Sequence, residues 1–215
     1  MTLTLHNFFR SSTSTRLRAA LNLKGLSYDQ VSYALRKKEH QAPAYLAKNP
    51  AGLVPALELD DSTVLTQSLA IMEWLEETYP DPALLPSAPL ARARVRALAY
   101  MIACEIHPLN NLRVLGRLGE QFGADEAAQK AWFTHWVTTT FDALETTLAR
   151  DAATGDFCHG DTPGFADCCL YAQVWNNRRF GIPLDGWPTI AAIFDRLDAL
   201  PAFQDAAPPN QPDAI

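Results

Sequence analysis

The chain has 215 residues, which is enough for one or two small domains with a hydrophobic core. Hydrophobic residues make up 48% of it and charged residues 20%, which is typical of a globular protein. The net charge of −6 does not suggest a nucleic-acid surface, and no apolar run is long enough to span a membrane. We therefore expect neither nucleic acid nor a membrane among its partners.

Cysteine usage favours a reducing compartment. The four cysteines include no CxxC pair, and nothing before Leu3 resembles a signal peptide. We therefore expect reduced thiols and a cytoplasmic protein. No cluster of residues with metal-ligand spacing is present in the sequence, so no metal is expected.

The first two predicted elements meet in a hydroxyl-rich turn. Residues 3–9 mostly alternate in polarity and predict a strand, and apolar positions from Leu17 onward predict an amphipathic helix. Hydroxyl side chains accept hydrogen bonds from the free N–H groups at a helix start, and the same end attracts anions. The turn is therefore either a plain helix cap or a site for an anion such as a thiolate. Its hydroxyl residues are Ser11, Ser12, Thr13 and Ser14.

The following segments complete a small α/β domain. Gly25 ends the first helix, residues 28–31 predict a second strand, and residues 42–47 a helical turn. Residues 54–59 and 64–65 predict a hairpin around a turn at 60–62. The next helix opens at Gln67 and Ser68 and ends before Pro80.

This element order is that of a thioredoxin-like domain, which we place at residues 1–79. Pro55 stands at the start of a strand, where a residue without an N–H donor is tolerated. The fold implies a cis bond between Val54 and Pro55, whereas the residues alone favour a trans edge proline.

A proline-rich linker at residues 80–89 separates this domain from a helical one at 90–215. Helices are predicted over 90–121, with an interruption at Pro108, and over 125–148, 165–180 and 188–200. The remaining tail, 201–215, is expected to run irregularly over the surface. Asp167 is interpreted as a structural half of a capping box, because Gly164 has no side chain to supply the other half.

Three motifs resemble glutathione transferases. They are residues 11–18 (SSTSTRLR), 49–57 (NPAGLVPAL) and 67–71 (QSLAI), and the similarity runs nearly to residues 211–213. The first resembles the zeta class, which includes maleylacetoacetate and maleylpyruvate isomerases. That class usually has a cysteine after the two serines, where this chain has Thr13, so Thr13 supplies no thiol. The fold implied is a thioredoxin-like α/β domain followed by an all-α bundle.

The resemblance implies a glutathione site. Ser11 would donate a hydrogen bond to the glutathione sulfur, with Ser12 and Thr13 completing the catalytic motif. A free thiol has a pKa of about 8.5, so it needs such help to ionise at neutral pH. The implied glutathione-binding residues are His40, Val54, Pro55, Gln67, Ser68, His107 and Asn111.

The two histidines in this set also have other interpretations. His40 lies among charged residues and is equally well interpreted as a solvated side chain. His107 precedes Pro108 and could bond a backbone carbonyl that the helix interruption frees.

Three arginines are substrate candidates through the resemblance. An arginine fork suits carboxylates, and Arg10, Arg113 and Arg179 would bind those of a small keto acid. Taken singly, each is more often a surface or salt-bridged residue.

The function implied is glutathione-dependent cis–trans isomerisation of maleylpyruvate or maleylacetoacetate to the fumaryl isomer, within aromatic catabolism, by a homodimer. A conjugating transferase acting on halogenated or other small electrophiles is the alternative, since it needs the same thiolate but no carboxylate clamp. A binding protein without turnover is the third reading, which the presence of Ser11, Gln67 and Ser68 argues against.

Overall fold

The computed structural model describes residues 2–214. These form two compact units. One holds the described residues up to Leu85 together with those from Ala199 onward, and the other spans Pro86–Asp198. Residues 1 and 215, where the expected first domain begins and the expected tail ends, lie outside the described residues.

The first unit is built on a four-stranded mixed sheet. Its strands are β1 (Leu3–Asn7), β2 (Tyr28–Ser32), β3 (Ala56–Glu58) and β4 (Val64–Thr66), in the order β2-β1-β3-β4. β1 pairs parallel with β2 and antiparallel with β3, and β3 pairs antiparallel with β4. The thioredoxin-like order and the hairpin are therefore confirmed.

The same unit contains helices α1 (Ser12–Leu23), α2 (Pro43–Leu46) and α3 (Ser68–Thr78), with two 3₁₀ turns at Leu35–Lys37 and Glu39–Gln41 between β2 and α2. Leu17 and Leu21 of α1 and Ile71 and Leu75 of α3 are fully buried and form the apolar core with Leu5 of β1. α1 ends where Gly25 adopts φ +65°, a left-handed conformation that glycine takes without steric cost. The Val54–Pro55 peptide bond is cis.

A buried ion pair joins the ends of α1 and α3. Lys24 Nζ lies 2.7 Å from Glu76 Oε2, and their side chains are 0% and 6% exposed. Lys24 also donates to the Tyr79 carbonyl, while Glu76 accepts from the N–H groups of Leu84 and Leu85. Both charges are thus satisfied inside the protein.

The second unit is helical, with no strand longer than an isolated bridge in its described residues. Its helices are α4 (Pro89–Tyr100), α5 (Leu112–Phe122), α6 (Glu126–Arg150), α7 (Phe165–Arg179) and α8 (Pro188–Asp198). The expected helices are confirmed. The first expected helix, over 90–121, is interrupted over a longer stretch than a proline kink. The backbone is already a π-helix over Met101–Ile106, before Pro108.

Asp167 has the structural role that was predicted. Its Oδ2 accepts the N–H of Gly164 and its Oδ1 the N–H of Cys158, both at 2.9 Å. The side chain is buried, and burial raises the pKa of its carboxyl.

The C-terminal segment is not an irregular surface tail, and that prediction is wrong for its described residues. It forms α9 (Pro201–Gln204) and a 3₁₀ turn at Pro208–Asn210, with Phe203 and Ala206 fully buried. Prolines suit the first turn of a helix, where no N–H donor is needed, so they begin structure here rather than prevent it. The contacts of this segment group it with the first unit.

Candidate active site

The turn between β1 and α1 presents a hydroxyl at a helix N-terminus. The Ser11 N–H donates to the Phe8 carbonyl at 3.0 Å, which closes the turn. Ser11 is the N-cap of α1, and its Oγ accepts the Ser14 N–H at 3.3 Å. Its hydroxyl also carries a hydrogen that can be donated, close to the positive end of the helix dipole. Ser12 is the first residue of α1 and is half-buried.

Thr13 joins this turn to the loop that contains Val54. The Thr13 hydroxyl donates to the Val54 carbonyl at 2.9 Å, and its Oγ lies 2.8 Å from Ser11 Oγ. A hydroxyl has one hydrogen, so Thr13 can only accept from Ser11. The Ser11 hydroxyl is thus directed to Thr13, and it must rotate to donate to a bound anion.

Two side chains hold the peptide before Val54, one from the 49–57 motif and one from outside the three motifs. Tyr45 Oη donates to the Leu53 carbonyl at 2.6 Å, and Asn49 Nδ2 donates to the same oxygen at 2.7 Å. Tyr45 is 1% exposed, and burial raises the pKa of its hydroxyl to about 12, so it stays protonated as a donor. The turn residues 49–52 marked this loop in the sequence but carried no sign of these bonds.

Gln67 and Ser68 begin α3 in an unusual backbone conformation. Gln67 has φ +66°, which costs a non-glycine residue free energy and is concentrated at functional sites. Ser68 Oγ accepts from Arg16 Nε at 2.9 Å, and Arg16 is only 5% exposed. Ser68 is therefore fixed by α1, with the free N–H groups of the first turn of α3 beside it.

His40 is half-buried near the loop that precedes Val54. A Cβ added to Gly52, which has φ +57°, would lie 3.4 Å from the His40 carbonyl oxygen. Burial lowers the pKa of the imidazole, and its Nδ1 is buried without a hydrogen-bond partner among residues 2–214. At neutral pH this histidine can therefore serve as a neutral hydrogen-bonding group.

In the second unit, His107 and Asn111 are neighbours. Asn111 is the N-cap of α5, and its Oδ1 accepts the Arg113 N–H at 3.1 Å. Its Nδ2 faces His107 Nε2 at 3.5 Å, the outer limit of a hydrogen bond. Arg113 and Arg179 are exposed, and the Arg179 guanidinium lies 5.3 Å from the centre of the Phe180 ring.

Arg10 belongs to the first unit and directly precedes Ser11. Its guanidinium lies 4.8 Å from the centre of the Phe9 ring, and its buried Nε has no partner in the described part of the chain. An aromatic face fixes a guanidinium without consuming its N–H donors, which leaves them available to a carboxylate.

The described residues do not favour a cysteine nucleophile or a metal centre at this site. All four cysteines are free and lie in the second unit, and burial raises the pKa of the Cys158 thiol well above its ordinary value. Among residues 2–214, no group of three or more His, Cys, Asp or Glu side chains could hold a metal ion. No helix in the same range is long and apolar enough to cross a membrane.

Comparison with known proteins identifies the family. A family model described as the N-terminal domain of glutathione S-transferase matches residues 10–78. Maleylpyruvate isomerase from a Ralstonia species is 51% identical over 98% of this chain and 99% of its own length. The chain belongs to the glutathione transferases.

Two solved structures place it more finely. One is the holo structure of a maleylpyruvate isomerase described as a bacterial zeta-class glutathione transferase. It is 50% identical, has a TM-score of 0.96 and covers 99% of this chain and all of its own. The other is a maleylacetoacetate isomerase from Methylobacterium extorquens with bound malonate and glutathione, which is 40% identical, has a TM-score of 0.95 and covers 99% of both chains. The predicted fold class and zeta-class membership are confirmed.

Proposed function

We propose that this protein is a glutathione-dependent cis–trans isomerase of a maleyl keto acid, maleylpyruvate or maleylacetoacetate, and that it forms the fumaryl isomer in aromatic catabolism. The observation that carries the proposal is the Ser11 hydroxyl at the N-terminus of α1, tied through Thr13 to Val54. The relatives that bear these isomerase names span nearly the whole chain.

The residues of the first unit fit glutathione. Ser11 offers a hydroxyl donor for the sulfur, Val54 offers backbone groups for the cysteinyl residue, and α3 offers free N–H groups beside Ser68 for the γ-glutamyl carboxylate. The unpartnered Nδ1 of His40 is a further polar atom for the glycyl end. Pro55, Gln67, His107 and Asn111 complete the proposed glutathione set.

Bound glutathione would supply a thiolate for reversible addition to an activated carbon–carbon double bond, which becomes a single bond and allows rotation before the thiolate leaves again. Ser11 lowers the pKa of that thiol by donating to its charged form, assisted by the α1 dipole. Thr13 accepts the Ser11 hydroxyl until the sulfur takes its place, and Ser12 extends the row of N–H donors at the helix start.

Arginine side chains account for the choice of substrate. Arg10, Arg113 and Arg179 are proposed to bind its carboxylates and to stabilise the negative charge that develops on the keto acid. Arg10 is held over the Phe9 ring, and its Nε has no partner among residues 2–214, which is consistent with a side chain that binds a carboxylate.

We also propose a cytoplasmic homodimer in which residues 1–79 bind glutathione, 80–89 are a linker and 90–215 contribute substrate-binding residues. The four free cysteines support a reducing compartment. Sedimentation of the purified protein tests the dimer.

The test of the reaction is turnover of each maleyl acid with and without glutathione. We expect isomerisation that requires glutathione, leaves its total amount unchanged and weakens in Arg113→Ala. Consumption of glutathione on a chlorinated electrophile, with no isomerisation of either acid, would favour the conjugating transferase instead.

A further inference from the structure

The turn that carries Arg10 and Ser11 is hydrogen-bonded to the far end of the chain. The Phe9 N–H donates to Asp213 Oδ2 at 3.1 Å, across 204 positions of sequence. The Phe9 carbonyl accepts from Arg18 Nη2 at 2.9 Å. Since these groups belong to the peptide units on the two sides of Phe9, the bonds orient both planes that lead into Arg10.

The second of these bonds also depends on the C-terminal segment. Arg18 is fully buried, and its Nε and Nη2 donate to the Ala206 carbonyl at 3.0 and 2.9 Å. Nη2 donates further to Thr15 Oγ at 2.9 Å, and the Thr15 hydroxyl donates to the Ser11 carbonyl at 3.1 Å. A continuous network therefore runs from Ala206 to the backbone of Ser11.

The Asp213 carboxylate is only partly satisfied. Its Oδ1 is shielded from solvent and has no hydrogen-bond partner in residues 2–214. A buried acceptor without a partner costs free energy, so Asp213 is not explained as a stabilising residue alone. The segment is also fastened without it, since Gln211 donates to the carbonyls of Asp205 and Ala207. The bond that Asp213 does make, through Oδ2, is to the Phe9 N–H.

We propose that Asp213 is a positioning residue for the reaction. By accepting the Phe9 N–H it sets the backbone that places Ser11, and hence the strength of the bond from Ser11 to the glutathione sulfur. The inference rests on the thiolate role proposed for Ser11. It assigns no contact between Asp213 and substrate.

The experiment compares Asp213→Ala and Asp213→Asn with Asp205→Ala, which removes an exposed carboxylate from the same segment. The readouts are the pKa of the bound glutathione thiol, from the ultraviolet absorption of its thiolate, and the affinity for S-methylglutathione, which has no thiol. We expect Asp213→Ala to raise the thiol pKa and to lower kcat/KM about 10-fold. Affinity for S-methylglutathione should stay unchanged.

Asp213→Asn keeps an oxygen acceptor, so it should behave like the wild type, as should Asp205→Ala. If Asp213→Ala does not fold, Asp213→Glu replaces it. This variant displaces the acceptor by one methylene and should still raise the thiol pKa.

A folded Asp213→Ala or Asp213→Glu protein with an unchanged thiol pKa would overturn the proposal, and so would an Asp213→Asn protein as impaired as the alanine variant. A wild type that binds glutathione but isomerises neither maleyl acid would refute the proposed reaction alone, because the thiol pKa would still decide the role of Asp213.

Discussion

Substitution of Ser11 separates the role that the structure shows for this side chain from the role proposed for it. Its oxygen caps α1 by accepting the Ser14 N–H at 3.3 Å, and its hydrogen is proposed to bond the glutathione sulfur. Loss of a cap costs about 0.5–2 kcal/mol, and the length of this bond favours the lower end. Loss of a hydrogen bond to a charged group costs about 1.5–3 kcal/mol, which raises the thiol pKa by about 1 to 2 units.

Three variants distinguish these roles. Ser11→Ala should lower stability slightly and raise the pKa of the bound thiol. Ser11→Gly should raise that pKa equally, with a stability loss of only a few tenths of a kcal/mol attributable to the cap. Ser11→Asp should keep the cap but raise the thiol pKa further, because its carboxylate repels the thiolate.

The assays are denaturant unfolding for stability and thiolate absorption against pH for the bound thiol. At a pH below the raised pKa, kcat/KM in the alanine variant should fall about 10- to 100-fold. A Ser11→Ala protein that binds glutathione with an unchanged thiol pKa would refute the reasoning. It would leave Ser11 as a helix cap alone.

Three further predictions follow from single contacts. Thr13→Val removes the donor to the Val54 carbonyl, so glutathione affinity measured by calorimetry should fall about fivefold, which corresponds to about 1 kcal/mol. The thiol pKa should not rise. An unchanged affinity would contradict this prediction. Lys24→Met leaves the Glu76 carboxylate buried without its cation and should lower the free energy of unfolding in urea by about 3 kcal/mol. The loss should not be larger, because two backbone N–H groups still bind Glu76. A loss below about 1 kcal/mol would argue against this prediction. Hydrogen bonds from Lys48 and His6 lower the pKa of Glu58. Its contribution to stability is therefore present above the ordinary pKa of 4.5 and is lost as the pH falls through the lowered folded-state pKa. The difference in stability between the wild type and Glu58→Gln should shrink on acidification, and a difference that grows would contradict the assignment.

Local chemistry was sufficient to predict much of the first unit. The hydroxyl cap, the glycine helix end and the turn at residues 60–62 each act within a few residues of the chain, and the structure contains all three. The helices of the second unit were predictable for the same reason, because apolar periodicity is a local property. The π-helical segment Met101–Ile106 was not, since no residue type marks where a helix widens by one residue per turn.

The site was only partly predictable, because its supporting contacts are remote in sequence. Asn49 lies in the second motif, yet nothing in the sequence shows that it and Tyr45 both donate to the Leu53 carbonyl beside Val54. Arg16 lies in the first motif, yet its burial against Ser68, 52 positions away, is not readable from the sequence. The motifs are visible in the sequence, whereas the contacts by which their residues orient one another are not.

Proline content was misleading at the end of the chain for a physical reason. A proline ends a helix when it lies inside one, but at the first turn it costs nothing, and Pro201 and Pro208 occupy such positions. The segment they begin brings the Ala206 carbonyl and the Asp213 carboxylate to the backbone around Phe9. The turn with the proposed catalytic serine is therefore held by both ends of the chain. Asp213→Ala should accordingly change the chemistry of Ser11 while most of the hydrophobic core stays intact.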